Sequence, residues 1–62
     1  MTKTELIDKA IEIFPSKDLA MEWIETPIPF LGMDKPNHLI HTQKGRKVVN
    51  ELLDKIKLGD FS

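Results

Sequence analysis

Few side chains in this sequence stand where they could do chemistry. His38 and His41 are three residues apart, a spacing that can place two metal ligands on one helix face, with Asp34 one turn earlier. No third histidine or nearby glutamate completes such a site and no HExxH occurs, so these read as ordinary surface or half-buried histidines. No metal and no cofactor is expected. Asp8, Glu12, Glu22 and Glu25 fall on helix surfaces by their spacing and read as a solvated face. No serine or threonine lies in a recognisable nucleophile motif, and there is no glycine-rich phosphate loop. The chain reads as a non-enzyme.

Two further clusters bear on partners. Lys44, Arg46 and Lys47 stand near a helix start and could touch phosphates, although a solvated helix face is the simpler account of them. Lys57 to Ser62 reads KLGDFS, with Phe61 one residue from the end of the sequence. Phe61 either packs back onto the first helix or projects into a partner's cleft, and the residues alone leave both readings open.

The elements that would position these side chains follow from pattern and punctuation. Sixty-two residues make one domain, residues 1–62, of a size that buries only about 60% of its unfolded surface. There is no cysteine, which suits a reducing cytoplasm. No apolar run approaches the roughly 20 residues of a membrane span, and MTKTELIDK does not read as a signal peptide. The net charge is −1, with six acids against three lysines up to Leu31 and six basic residues against four acids after it. That asymmetry is weaker than the basic face a nucleic-acid binder usually carries.

Thr2 with Glu5 forms a capping box, with Thr4 as a competing cap, and Ile7, Ala10, Ile11 and Phe14 make one stripe widened by Leu6 and Ile13. Pro15 ends this helix. Ser16 caps a second helix with the stripe Leu19, Ala20, Trp23 and Ile24, closed by Thr26-Pro27. Trp23 to Leu39 holds Pro27, Pro29 and Pro36 among large apolar residues, and reads as a buried or half-buried elbow around which the helices pack. Within it Phe30-Leu31 can form one helical turn, ended by Gly32 at positive φ. Pro36 opens a short third helix to about His41; either Asp34 caps it or its start is weakly capped. Thr42 caps the longest helix, about 43–58, with the stripe Val48, Val49, Leu52, Leu53 and Ile56 and a stop at Gly59. Gly45 costs this helix near 1 kcal/mol relative to alanine, which a close crossing by the elbow or by a partner chain would explain. The expected core is Trp23, Phe30, Leu31, Val49, Leu52, Leu53 and Ile56.

The spaced residues Phe14, Ala20, Trp23, Thr26-Pro27, Pro29, Leu31-Gly32, Pro36, Leu39-Ile40, Thr42, Gly45, Val49, Leu53, Ile56 and Gly59 carry a resemblance. Across about residues 10–61 the chain resembles the toxin-binding domain of antitoxins of the Xre, MbcA and ParS type. The resemblance implies an antitoxin or its toxin-binding domain, which neutralises a RES-type, NAD-consuming toxin by occluding its active site. It implies that the antitoxin's C-terminal part lies against the toxin's active-site entrance. Full-length members commonly carry a helix-turn-helix ahead of this domain, so the chain is expected to hold the toxin-binding part without the DNA-reading part. The expected architecture is an all-α domain of four helices, the third short, around the proline-rich elbow. Structural roles fall to Trp23, Pro27, Pro29, Leu31, Gly32, Pro36, Gly45 and Gly59, and toxin contacts to Arg46, Lys57, Asp60 and Phe61. A cytoplasmic protein with a protein toxin as partner is expected, with no specific DNA binding; self-association stays open. The alternatives are a nucleic-acid-associated regulator with a degenerate helix-turn-helix across HLIHTQKGRKVV, or an interaction module with no toxin.

Overall fold

The first, second and fourth helices each begin where a hydroxyl side chain caps the first turn. In the computed structural model, which describes residues 1–59, α1 spans Lys3–Ile13, α2 Lys17–Ile24, α3 Pro36–Leu39 and α4 Gln43–Lys57. A single 3-10 turn, Pro29–Leu31, lies between α2 and α3. The all-α reading holds, with no strand among the described residues beyond an isolated bridge between Ile28 and Asp34. None of these helices is long and apolar enough to cross a membrane.

Thr2, not Thr4, caps α1. The Glu5 amide donates to Thr2 Oγ1 at 3.1 Å and the Thr2 amide donates to Glu5 Oε1 at 2.8 Å, the reciprocal pair of a capping box. Phe14 is extended before Pro15, and the Ser16 hydroxyl accepts from the Leu19 amide at 3.2 Å to start α2. At the far end of α2, the Thr26 hydroxyl donates to the Glu22 carbonyl at 2.7 Å. No side chain caps α3 at Lys35, so the helix starts on Pro36 alone. It also ends earlier than His41. Thr42 must be extended, at φ −117° and ψ 154°, for its hydroxyl to accept from the Gly45 amide at 2.9 Å, and that requirement stops α3 at Leu39. Gly59 closes α4 at φ 72°, its amide bonded to the Ile56 carbonyl.

The core draws on all four helices. Leu6 and Ala10 of α1, Ala20 and Ile24 of α2, and Val49, Leu52 and Leu53 of α4 meet around Ile40, with Leu31 reaching in from the 3-10 turn. α4 packs on α1 and α3, while α2 packs on α1 and α3. Trp23 contributes from the edge, half-buried, its ring centroid 5.5 Å from that of Phe14. Ile56 is likewise half-buried against the core.

The elbow corrects the sequence expectation. It is not the body around which the helices pack, and Phe30 is not core: its side chain is 58% exposed. Pro27, Pro29 and Met33 are also exposed, and between the end of α2 and the start of α3 the stretch buries only Leu31, with Ile28 half-buried. The reason is the three-residue period of the 3-10 turn, which eclipses Ile28 and Leu31 on one side and throws Phe30 to another. The backbone satisfies itself locally: Leu31 and Met33 amides donate to the Ile28 carbonyl, Gly32 to Pro29, and Ile28 to Asp34. A loop closed in this way needs only one side against the helices.

Gly45 explains itself. A Cβ there would lie 1.8 Å from the Leu39 carbonyl oxygen and 2.6 Å from its carbon, so the end of α3 crosses the first turns of α4 backbone on backbone. The crossing segment is therefore the end of α3, not a partner chain.

Two stability outcomes follow. Gly45→Ala gains helix propensity near 1 kcal/mol yet should lower stability by about 1–3 kcal/mol or more, because a backbone atom, not a side-chain tip, must move; thermal melts of the two proteins measure it. Glu5 is held below the ordinary glutamate range, chiefly by the hydrogen bond from the Thr2 amide and then by the Thr2 side chain. A lowered folded pKa stabilises above the unfolded value, near about 4.3, and that gain is lost as pH falls through the folded value. The melting difference between wild type and Glu5→Gln should therefore be full at neutral pH and shrink steadily below about pH 4.

Candidate partner-binding surface

Of the four residues expected to touch a partner, two have described positions. Arg46 is half-buried in the first turns of α4: its Nε donates to the Met1 carbonyl at 3.1 Å and its Nη1 to the Ile40 carbonyl at 3.0 Å. It thereby satisfies a carbonyl left open at the end of α3 and braces three segments together. Lys57 is exposed in the last turn of α4, beside a groove formed with Lys9, Glu12, Ile13 and Ile56. Arg46 and Lys57 are eleven positions apart on the helix, about 16 Å along the axis, so the fold does not bring them together. Asp60 and Phe61 lie outside the described residues.

The other candidates disperse. Asp34 approaches His38 Nδ1 at 3.6 Å, both exposed, while His41 Nδ1 lies 3.5 Å from Lys3 Nζ. Among the described residues no three His, Cys, Asp or Glu side chains converge as a metal site would need. Lys44 and Lys47 line an open cleft with Met1, Gln43, Arg46 and Asn50 at the start of α4. Lys9 donates to Asn50 Oδ1 at 2.6 Å and pairs with Asp54, pinning α1 to α4; half of Asp54 is exposed, so the pair is a surface one of modest worth.

What sequence reasoning missed is an apolar surface beside the end of α4. Phe30 and Met33, 58% and 61% exposed, stand on the 3-10 turn and its exit. Lys55 Nζ sits 6.0 Å from the Phe30 ring centroid, at the reach of a cation–π contact, which places the turn alongside the last turns of α4. Leu58, 81% exposed, follows at the end of that helix. Met33 carries a second surprise: φ 65°, left-handed, directly after Gly32 at φ 68°. An L-residue with a long side chain pays roughly 1–2 kcal/mol there. The eclipsing period of a one-turn 3-10 helix was the signal for Phe30; nothing in the residue type signals Met33.

A small helical scaffold with an exposed apolar turn and a lysine-bearing helix end has the make-up of a protein-binding module. Residues 9–59 match the model of the antitoxin Xre/MbcA/ParS C-terminal toxin-binding domain, and the chain belongs to that family. It is also similar to a curated protein, Antitoxin Xre of Yersinia enterocolitica serotype O:8 / biotype 1B, at 34% identity over 58 residues. That alignment takes in 92% of this chain but 39% of the relative, so the chain spans about two fifths of the relative's length. No solved structure matches it significantly.

The strain at Met33 gives a direct test. Met33→Gly relieves roughly 1–2 kcal/mol of backbone strain and costs about 0.5–1 kcal/mol in unfolded-state entropy. The variant should melt higher by a few degrees, whereas most other substitutions of an exposed residue leave the melt unchanged.

Proposed function

We propose that this chain is the toxin-binding part of an antitoxin that neutralises a RES-type toxin by stoichiometric binding over its active-site entrance. The observation that carries the reading is the family match across residues 9–59, which takes in the exposed turn and the whole of α4. The RES class and its consumption of NAD come from the family resemblance. A plug at the end of α4 is supported by the exposure of Lys57 and Leu58 and by the helix ending at Gly59, at φ 72°. A large aromatic such as Phe61 is the kind of anchor that contributes most when desolvated in a cleft, while Lys57 and Asp60 supply directional charge. Arg46 contributes mainly by holding α3 on α4, with its remaining amino group available to a partner carboxylate.

A nucleic-acid role is the weaker reading. α3 is four residues long and its end is locked to α4, so α3 and α4 are not a pair that can seat a reading helix in a groove. The test pairs the chain with the toxin encoded by the neighbouring reading frame and follows NAD consumption. An equimolar amount of the full chain should silence the toxin. Removal of residues 60–62 should weaken silencing at least tenfold with the melt unchanged. A truncated chain that still silences at one to one moves the contact to the helix faces. Failure of the full chain to bind or silence the toxin overturns the antitoxin reading.

A further inference from the structure

We propose that the basic cleft at the start of α4 binds the phosphodiester backbone of nucleic acid, without regard to sequence; this does not rest on the antitoxin reading. The sequence shows a run of three basic residues there, and the fold adds to it. Arg46 donates to the Met1 and Ile40 carbonyls, at 3.1 and 3.0 Å, and so holds the start of α1 against the end of α3. The same approach places Lys3 Nζ 3.5 Å from His41 Nδ1, so further basic groups gather at this end of the domain. Met1, Gln43, Lys44, Arg46, Lys47 and Asn50 surround one open cleft of about 660 Å³, and no acid lines it. Glu5, the first acid of α1, is taken up by the Thr2 amide in the capping box. Among the described residues Lys44 and Lys47 have neither a hydrogen bond nor an ion pair, whereas Lys9 is matched by Asn50 and Asp54.

The lining selects the ligand. Protein interfaces are depleted of lysine and centre on aromatic or aliphatic anchors. Here two exposed lysines and an arginine line the opening, with Met1 as its one apolar side chain. Phosphate backbones are held by this set: lysine as a mobile point charge and arginine by directional N–H groups, each releasing counterions as a phosphate is neutralised. Arg46 Nε and Nη1 are engaged with carbonyls, so its other amino group and the two lysines supply about three phosphate contacts. An open cleft suits a strand lying across it, where a single small ion would need an enclosed cradle. Such a contact reads no base, which agrees with an α3 too short and too firmly held to present a reading helix. The net charge of −1 keeps long-range attraction small, so a Kd of about 10⁻⁴ M is expected at physiological salt. The cleft stands roughly 20 Å along α4 from Lys57 and Leu58, so it is tested without the toxin.

The experiment titrates the full chain into labelled duplex DNA and single-stranded RNA of mixed sequence, from about 50 to 200 mM salt, and follows fluorescence anisotropy. Log affinity should fall linearly with log salt, with a slope of about −3 on the duplex and about −2 on the single strand. Binding to either polymer supports the cleft, and the tighter one names the source of the phosphates. Lys44→Gln and Lys47→Gln should each weaken binding several-fold and reduce the slope by about 1. Both positions are exposed, so their melts should match the wild type. Lys17→Gln, an equal loss of charge at an exposed position on α2, should change neither affinity nor slope. Arg46 is left in place, because replacing it would loosen α3 from α4. No binding at the lowest salt overturns the proposal, as does a Lys17→Gln effect equal to that of the cleft variants. A preference among scrambled sequences would mean base readout and overturn it too. Binding to polyglutamate or to phosphatidylserine vesicles as tight as to the duplex would assign the cleft to an acidic protein or a membrane surface instead, and also overturn it.

Discussion

The contact on which this fold depends is one between two backbones. The carbonyl of Leu39 lies where the Cβ of any residue but glycine would stand at position 45. The approach lets Thr42 cap α4 through Gly45, lets Arg46 reach the Ile40 carbonyl, and seats Ile40 among Leu6, Val49 and Leu53. Moving Leu39 away would separate the cap, the brace and the centre of the core at once. A domain of this size has a small core and little stability to spare, so a single crossing of this kind has a large share in holding it together.

The helices were largely readable from the residues because their signals are local. Thr2, Ser16 and Thr42 each precede a periodic apolar stripe, and each side chain bonds the amide three residues on, as capping requires. Gly32 and Gly59 take the left-handed backbone expected of them. The position of Gly45 was legible as a close approach, though its neighbour was not, since two segments could have made it.

The core was read less well, and the reason is geometric. Apolar type and proximity to prolines favoured Phe30 and Trp23 as central, while Leu6, Ala20 and Ile24, though on the helix stripes, and Ile40 were not among the expected core. Which of several apolar side chains in an irregular turn faces inward depends on the rotation of one 3-10 turn against four helices, and that is set by the whole packing. Small Ala20 is fully buried on α2, which packs on both α1 and α3, a fact of helix packing and not of residue type. The candidate contacts show the same limit. Arg46 is basic and near a helix start, which suits a partner; its role against Ile40 becomes visible only when α3 is folded back.

Because Leu39 meets Gly45 through main-chain atoms, the scaffold is nearly blind to side-chain identity at its outer positions. Residues 30, 33, 38 and 58 can exchange their chemistry without altering the crossing that organises the domain. Such a protein can drift in which partner it recognises while its folding stays constant. Closely related copies within one cell could diverge in pairing through a handful of surface changes, each remaining a sound domain at every step.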